Sequence, residues 1–201
     1  MALPSNINLS DKDSVTQTIN LKEVFGVALD DKPDLRQAIG QEIIDTIVKR
    51  AESGNGVDGK ALRKPYSKAY SDSDDFKAYG KSKNDVNMTL TGSMLDSIDI
   101  VEDSGNELVV GFDGTTENNK AHGHMTGQGG NNPKMKRLFF GVNNKELKEI
   151  KNKFADRLKE EKPVAKPETK SALDLLEALG TTRATNRQIV TELFGDLFNG
   201  N

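Results

Sequence analysis

The chain contains no cysteine and no tryptophan. Without thiols it can form neither a disulfide nor a zinc–thiolate site, and it lacks a sulfur nucleophile. Nothing in it argues for an oxidising compartment. Aromatic residues make up 5% and hydrophobic residues 34% of the 201 positions, against 29% charged. That is little apolar material for a self-contained globule of this length. Such a chain either leaves segments irregular or completes its core against neighbours; the strong patterning of the apolar residues it does have favours the second. No run approaches the ~20 apolar residues of a membrane-spanning helix. Met1–Ser5 offers neither the basic start nor the apolar stretch of a secretion signal. The expectation is a soluble protein made in a reducing cytoplasm.

The net charge of −3 argues against coating nucleic acid as the main role. The charge is uneven, however: residues 134–162 carry ten Lys/Arg against five Asp/Glu. Two readings compete for Lys145, Lys148, Lys151 and Lys159 within that stretch. One is a solvated helix face laced with i,i+4 pairs. The other is a basic strip facing DNA or an acidic partner.

Apolar spacing divides the chain. Residues 1–31 are polar with scattered apolar positions and read as an N-terminal arm, with a helical turn at 21–25. Leu35, Ile39, Ile43, Ile47 and Ala51 recur every four residues, which predicts a helix over 34–52 capped by Asp34 and stopped at Ser53-Gly54-Asn55-Gly56. Residues 54–85 have no period and read as a loop anchored by Tyr66, Tyr70, Phe76 and Tyr79. Residues 86–98 predict a strand giving way to a short helix. The alternation of Ile98 and Ile100, then of Leu108, Val110 and Phe112, about the turn Ser104-Gly105-Asn106 predicts a hairpin over 97–113. The Gly/Asn-rich stretch 114–136 reads as a long loop, residues 137–142 as a compact apolar strand, and Leu147, Ile150, Phe154 and Leu158 as the stripe of a helix over 144–161.

The remainder reads as a Pro-containing linker over 162–169 and a helical docking segment over 170–201. In that segment Ile189, Val190, Leu193, Phe194, Leu197 and Phe198 form a stripe too apolar to leave in water. It is expected to anchor a contact with another subunit or protein. Arg183 and Arg187 give its two short helices a superficial likeness to a helix-turn-helix, though no third helix completes a domain.

Chemistry-bearing patterns are sparse. His122-Gly-His124 holds all the histidine, without a carboxylate at ligand-like spacing. Gly127-Gln-Gly129-Gly130 lacks the Lys-Ser/Thr of a phosphate loop. No Gly-x-Ser-x-Gly elbow occurs. No catalytic, cofactor or metal site is expected.

Four motifs stand in a particular order over about 35–160. Thr91-Gly92-Ser93-Met94-Leu95-Asp96-Ser97-Ile98 leads into the hairpin. Ala121, His124 and Gly127 follow, then Pro133, then Arg137-x-Phe139-Phe140. This order resembles the virion-morphogenesis family of phage tail-completion and head–tail joining proteins. The chain departs from the family's pattern at Asn119-Lys120, where an aromatic residue is usual. The resemblance implies an α+β body, a small curved antiparallel sheet packed by two long helices, assembled into a six- or twelve-fold homo-oligomeric ring between portal and tail. Its partners would be portal, adaptor and tail proteins of the virion, with non-specific contact to packaged DNA and none to a membrane.

The resulting expectation is an arm (1–31), a ring-forming body (32–161), a linker (162–169) and a helical docking segment (170–201). The hairpin and strand 137–142 would form the sheet, the two long helices would cover one face, and loop 114–136 would line the channel or meet the next ring. The alternatives are a minor head or assembly-adaptor protein, or a DNA-binding protein using the C-terminal helices.

Overall fold

The computed structural model describes residues 6–62, 66, 68–84, 86–89, 91–128 and 136–159. The chain divides into two units, Met1–Asp156 and Arg157–Asn201. In the second unit the described residues are 157–159, which are helical. Residues 162–201, including the expected linker, docking stripe, Arg183 and Arg187, lie outside the described residues.

The first unit is an α+β body around a four-stranded antiparallel sheet. Strands β1 (Ile7–Asn8), β2 (Thr16–Asn20), β3 (Ile98–Asp103) and β4 (Glu107–Phe112) stand in the order β1-β2-β4-β3. The predicted hairpin is β3–β4. Its register opposes Ile98 to Phe112 and Ile100 to Val110, with a bulge between Ile100 and Glu102. Opposed residues share a face, so Ile98, Ile100, Leu108, Val110 and Phe112 line one side. Gln17 opposes Val110, Ile19 opposes Leu108 and Ile7 opposes Gln17, which carries the same face across β2 to β1. The other face presents Thr16, Thr18, Val109 and the exposed Val101.

Helix α1 (Leu21–Phe25) follows β2 directly, with the Asn20 side chain accepting from Glu23 N at its start and Gly26 closing it at φ +76°. Helix α2 (Pro33–Glu52) lays Leu35, Ile39, Ile43 and Ile47 onto the core side of the hairpin. Each such aliphatic, fully buried, contributes roughly 1.5–3 kcal/mol. Gly40 is what permits the approach, since a Cβ there would run into the Ile100 side chain. The cap of α2 is Lys32, whose side chain does not cap the helix's first N–H groups. Pro33 occupies the first helical position, where a missing N–H costs nothing, and the expected cap Asp34 lies instead in the first turn.

Helix α7 (Asn144–Lys159) buries Leu147, Ile150 and Phe154 as its stripe predicts. It runs antiparallel to α2: Arg50 meets Glu146 at 2.6 Å at one end, and Lys153 pairs with Glu42 at the other.

Five further expectations are corrected. Residues 6–31 are not a free arm. Strand β2 is central and pairs with β4 along its full length, because Val15, Gln17 and Ile19 are all fully buried and need neighbours on both sides. Residues 114–136 are not one long loop, since Thr115–Thr126 is helix α6. Its inward face is Asn118, Ala121 and Met125, spaced three and four apart, and Gly127 at φ +75° ends it with a left-handed cap.

Arg137 and residues 139–142 are buried and Leu138 half-buried, but the segment forms no strand, and β1 and β2 complete the sheet instead. Residues 86–89 are not a strand either; Val86 and Met88 are buried, with Met88 at φ +59°, which breaks any extended run. The segment read as a loop over 54–85 holds two short helices, α3 (Lys68–Ser71) and α4 (Asp74–Ala78). Tyr66, Tyr70 and Phe76 anchor this segment as a mutually packed trio with centroids 5.2–5.4 Å apart. Tyr79 stays exposed and takes no part.

Candidate functional site

The motif residues lie far apart in sequence, and the fold brings them together. Gly92, at φ +86°, starts the short helix α5 (Ser93–Asp96), its carbonyl accepting from Leu95 N at 2.9 Å and Asp96 N at 3.0 Å. Thr91 and Ser93 exchange a hydroxyl hydrogen bond of 2.9 Å. Ser97 donates its hydroxyl to the Met94 carbonyl at 3.0 Å and offers its own carbonyl to Asp113 N at 2.7 Å. Leu95 and Ile98 are buried. The block Thr91–Ile98 is therefore a corner that feeds the hairpin, with the Thr91, Ser93 and Ser97 hydroxyls engaged within it.

Helix α6 closes over the far end of β4. Ala121 and Met125 are buried. Asn118, also buried, accepts from Val15 N at 2.8 Å and donates to the Phe112 and Gly114 carbonyls at 2.8 and 3.1 Å. One side chain thus ties the residue before β2 to the end of β4.

The segment 137–142 is fixed by side chains in place of a ladder. Gln17 brackets Val142, accepting from its N–H at 2.7 Å and donating to its carbonyl at 2.9 Å. Arg50 donates to the Phe139 and Gly141 carbonyls at 2.7 and 2.6 Å while holding Glu146. Gly141 stands at φ +93° with Ile7 and Gln17 against it, leaving no room for a Cβ. Arg137 N donates to the His124 carbonyl at 2.8 Å. Phe139 and Phe140 pack on Phe112, centroids 6.1 and 4.8 Å away. Leu95, Ile98, Ala121, Phe139 and Phe140 are all buried, and His124 meets the edge of Phe139 at 6.4 Å.

The titratable groups here are engaged in structure. Burial, with the positive charge of Arg137 beside it, pushes the His124 imidazole down to about 4, so it is neutral near pH 7. Arg137 is itself buried, its guanidinium 5.1 Å from the Tyr66 ring centroid. That burial lowers its pKa against the opposing pull of Tyr66 and Tyr70. His122 places Nε2 3.2 Å from the Leu9 carbonyl. Two positions apart on a helix, the histidine rings leave the axis about 200° apart and cannot converge on one ion. Among the described residues, no group of three or more His, Asp or Glu is placed to hold a metal. No described helix is long and apolar enough to cross a membrane.

The basic strip is only partly a strip. Lys145 and Lys148 are exposed on the outer side of α7, and Lys145 stands 3.8 Å from Glu149, an i,i+4 pair. Lys151 turns inward and donates to the Val24 carbonyl at 2.9 Å. Lys159 ends the described helix.

Sequence reasoning missed Gln17, Arg50 and Asn118, the three polar side chains that bind the motif segments together. Only the burial of each would have marked it, and burial of a polar residue leaves no periodic trace. No family model, curated protein or solved structure matches the chain.

Proposed function

We propose that the chain is a non-enzymatic structural subunit of a tailed-phage virion, forming a homo-oligomeric ring at the head–tail junction that joins portal and tail. The observation that carries this reading is the convergence of the described motif segments, 91–98, 121–127 and 137–140, with the hairpin between them, on one buried cluster. A signature made of corner residues, core aromatics and helix caps specifies a body shape. A building block needs a repeatable shape, and the buried members of this signature serve the packing that fixes one.

Two further features support the reading. The sheet's edge strand β3 carries Asp99, Glu102 and Asp103 with a bulge, the usual means of keeping an edge from indiscriminate pairing. The two histidines and the motif residue Arg137 are engaged in internal contacts.

The test is to image particles carrying a tagged copy of the chain. Label confined to the junction between capsid and tail is the expected result, and particles lacking the chain should yield filled heads separate from tails. Label spread over the capsid shell would place it among minor head proteins, and joined particles without the chain would end the proposal.

A further inference from the structure

A cleft of about 570 Å³ runs between one flank of α2 and the corner where α5 meets β3. Ile44, Val48 and Ile98 lie along it. Its rim is acidic: Asp45, Glu52, Asp96, Asp99 and Asp113 line it, with Lys49 as the one base among the lining residues. Lys49 reaches toward Asp45 at 3.9 Å, and no second Lys or Arg stands among the lining residues beside the other four carboxylates.

These carboxylates are strung out rather than gathered. Asp45 and Glu52 are seven residues apart on α2, which separates them by about 10 Å along the axis. One ion cannot bridge that span, but an extended basic surface can. The same chain carries one. Helix α7 bears six Lys/Arg against three Asp/Glu, and Lys145 and Lys148 project from its outer face, the Lys145 side chain 86% exposed.

The two surfaces sit on opposite flanks of α2. Glu42 and Arg50 hold α7 on one side, while Asp45, Val48 and Glu52 look into the cleft on the other. A copy that offers α7 to its neighbour's cleft therefore keeps its own cleft open for a third. Such a head-to-tail contact uses two different patches, and it closes into a ring when the rotation per subunit divides the circle.

We infer that the acidic cleft receives the outer face of α7 from a second copy of this chain, with Lys145 and Lys148 set against Glu52, Asp99 and Asp113. This inference rests on the ring reading and assigns its interface. Opposed charge sets register and suppresses wrong pairings, and Val48 with the stems of the lysines supplies apolar contact between them.

Charge reversal of the full chain tests it. One variant carries Glu52→Lys, Asp99→Lys and Asp113→Lys; the other carries Lys145→Glu and Lys148→Glu. All five residues are on the surface, and unchanged far-UV circular dichroism checks the fold. Sedimentation in low salt should find the wild-type chain assembled, and raising sodium chloride from about 0.05 to about 0.5 M should weaken it at least tenfold. Each variant alone should be monomeric, because its two faces then repel.

Mixed together, the variants present opposite charges at both kinds of contact and should reassemble, a rescue that damage to the fold could not produce. If the wild-type chain assembles and each variant does so equally well alone, the ring reading survives and this interface is wrong. A wild-type chain that is monomeric throughout overturns both. Failure of the mixture to reassemble, or assembly that depends on an added divalent cation, also overturns the interface.

Discussion

The two sides of the core are equally buried and are held by opposite means. On the hairpin side, α2 lays Ile39, Ile43 and Ile47 against Ile100, Leu108 and Val110, and the backbone is satisfied by its own ladder. On the other side, residues 139–142 are just as buried, but the Phe139 and Gly141 carbonyls and both backbone groups of Val142 are met by the side chains of Arg50 and Gln17. The first arrangement degrades gradually as volume is removed. The second fails by steps, since each lost side chain strands a buried donor or acceptor. Irregular backbone can fill a core when polar side chains stand in for a neighbouring strand.

The sharpest way to break this contrast is Arg50→Ala. It strands the Phe139 and Gly141 carbonyls and leaves the Glu146 carboxylate, largely buried beside it, without its cation. A loss of about 3–5 kcal/mol in urea unfolding is expected. Gln17→Leu keeps the volume and removes both bonds to Val142, and about 2–4 kcal/mol should go. A loss below about 1 kcal/mol would mean that this side is held by packing after all.

Acidification probes the same side without mutation. The His124 imidazole, held by burial and Arg137 at about 4, ordinarily titrates near 6.5. The unfolded chain therefore binds the proton first, and stability rises with pH across that window. Full stability is present above about pH 6.5 and falls on acidification, by about 2 kcal/mol at about pH 5. His124→Gln should flatten this slope in thermal melts. Asp103 contributes at lower pH. Burial would raise its pKa, but the Gly105 N–H and the Arg36 guanidinium outweigh that and hold it below the usual carboxylate range. Its share is lost as pH falls below about 4. The smallest effect belongs to the aliphatic side. Ile43→Val should cost about 0.5–1.5 kcal/mol, in proportion to the methylene removed.

The same contrast explains what could be read from the sequence. Helix α2, the hairpin and α7 were legible because their buried residues are aliphatic and recur at periods of about 3.6 or 2. Strand β2 was not, because its sequence Thr-Gln-Thr-Ile-Asn puts a glutamine at one of its two inward positions. Helix α6 was hidden for a like reason, its inward face being Asn118, Ala121 and Met125 among glycine, histidine and asparagine. Residues 137–142 misled in the other direction. An apolar run reports burial, and burial is not pairing. The motif residues of the candidate site were visible one by one, but that they meet in a single cluster was not.

Sequence alone was enough for the long helices, the hairpin, the short helix before it and the absence of any thiol chemistry. These depend on local spacing and composition, which any reader of the chain possesses. Only the tertiary structure decided that residues 16–20 stand in the middle of the sheet, that Gln17 and Arg50 take over a strand's work, and that acidic and basic surfaces flank α2 on opposite sides. Those outcomes depend on contacts between residues up to 125 positions apart, and a polar side chain shows whether it belongs inside only when its partners arrive.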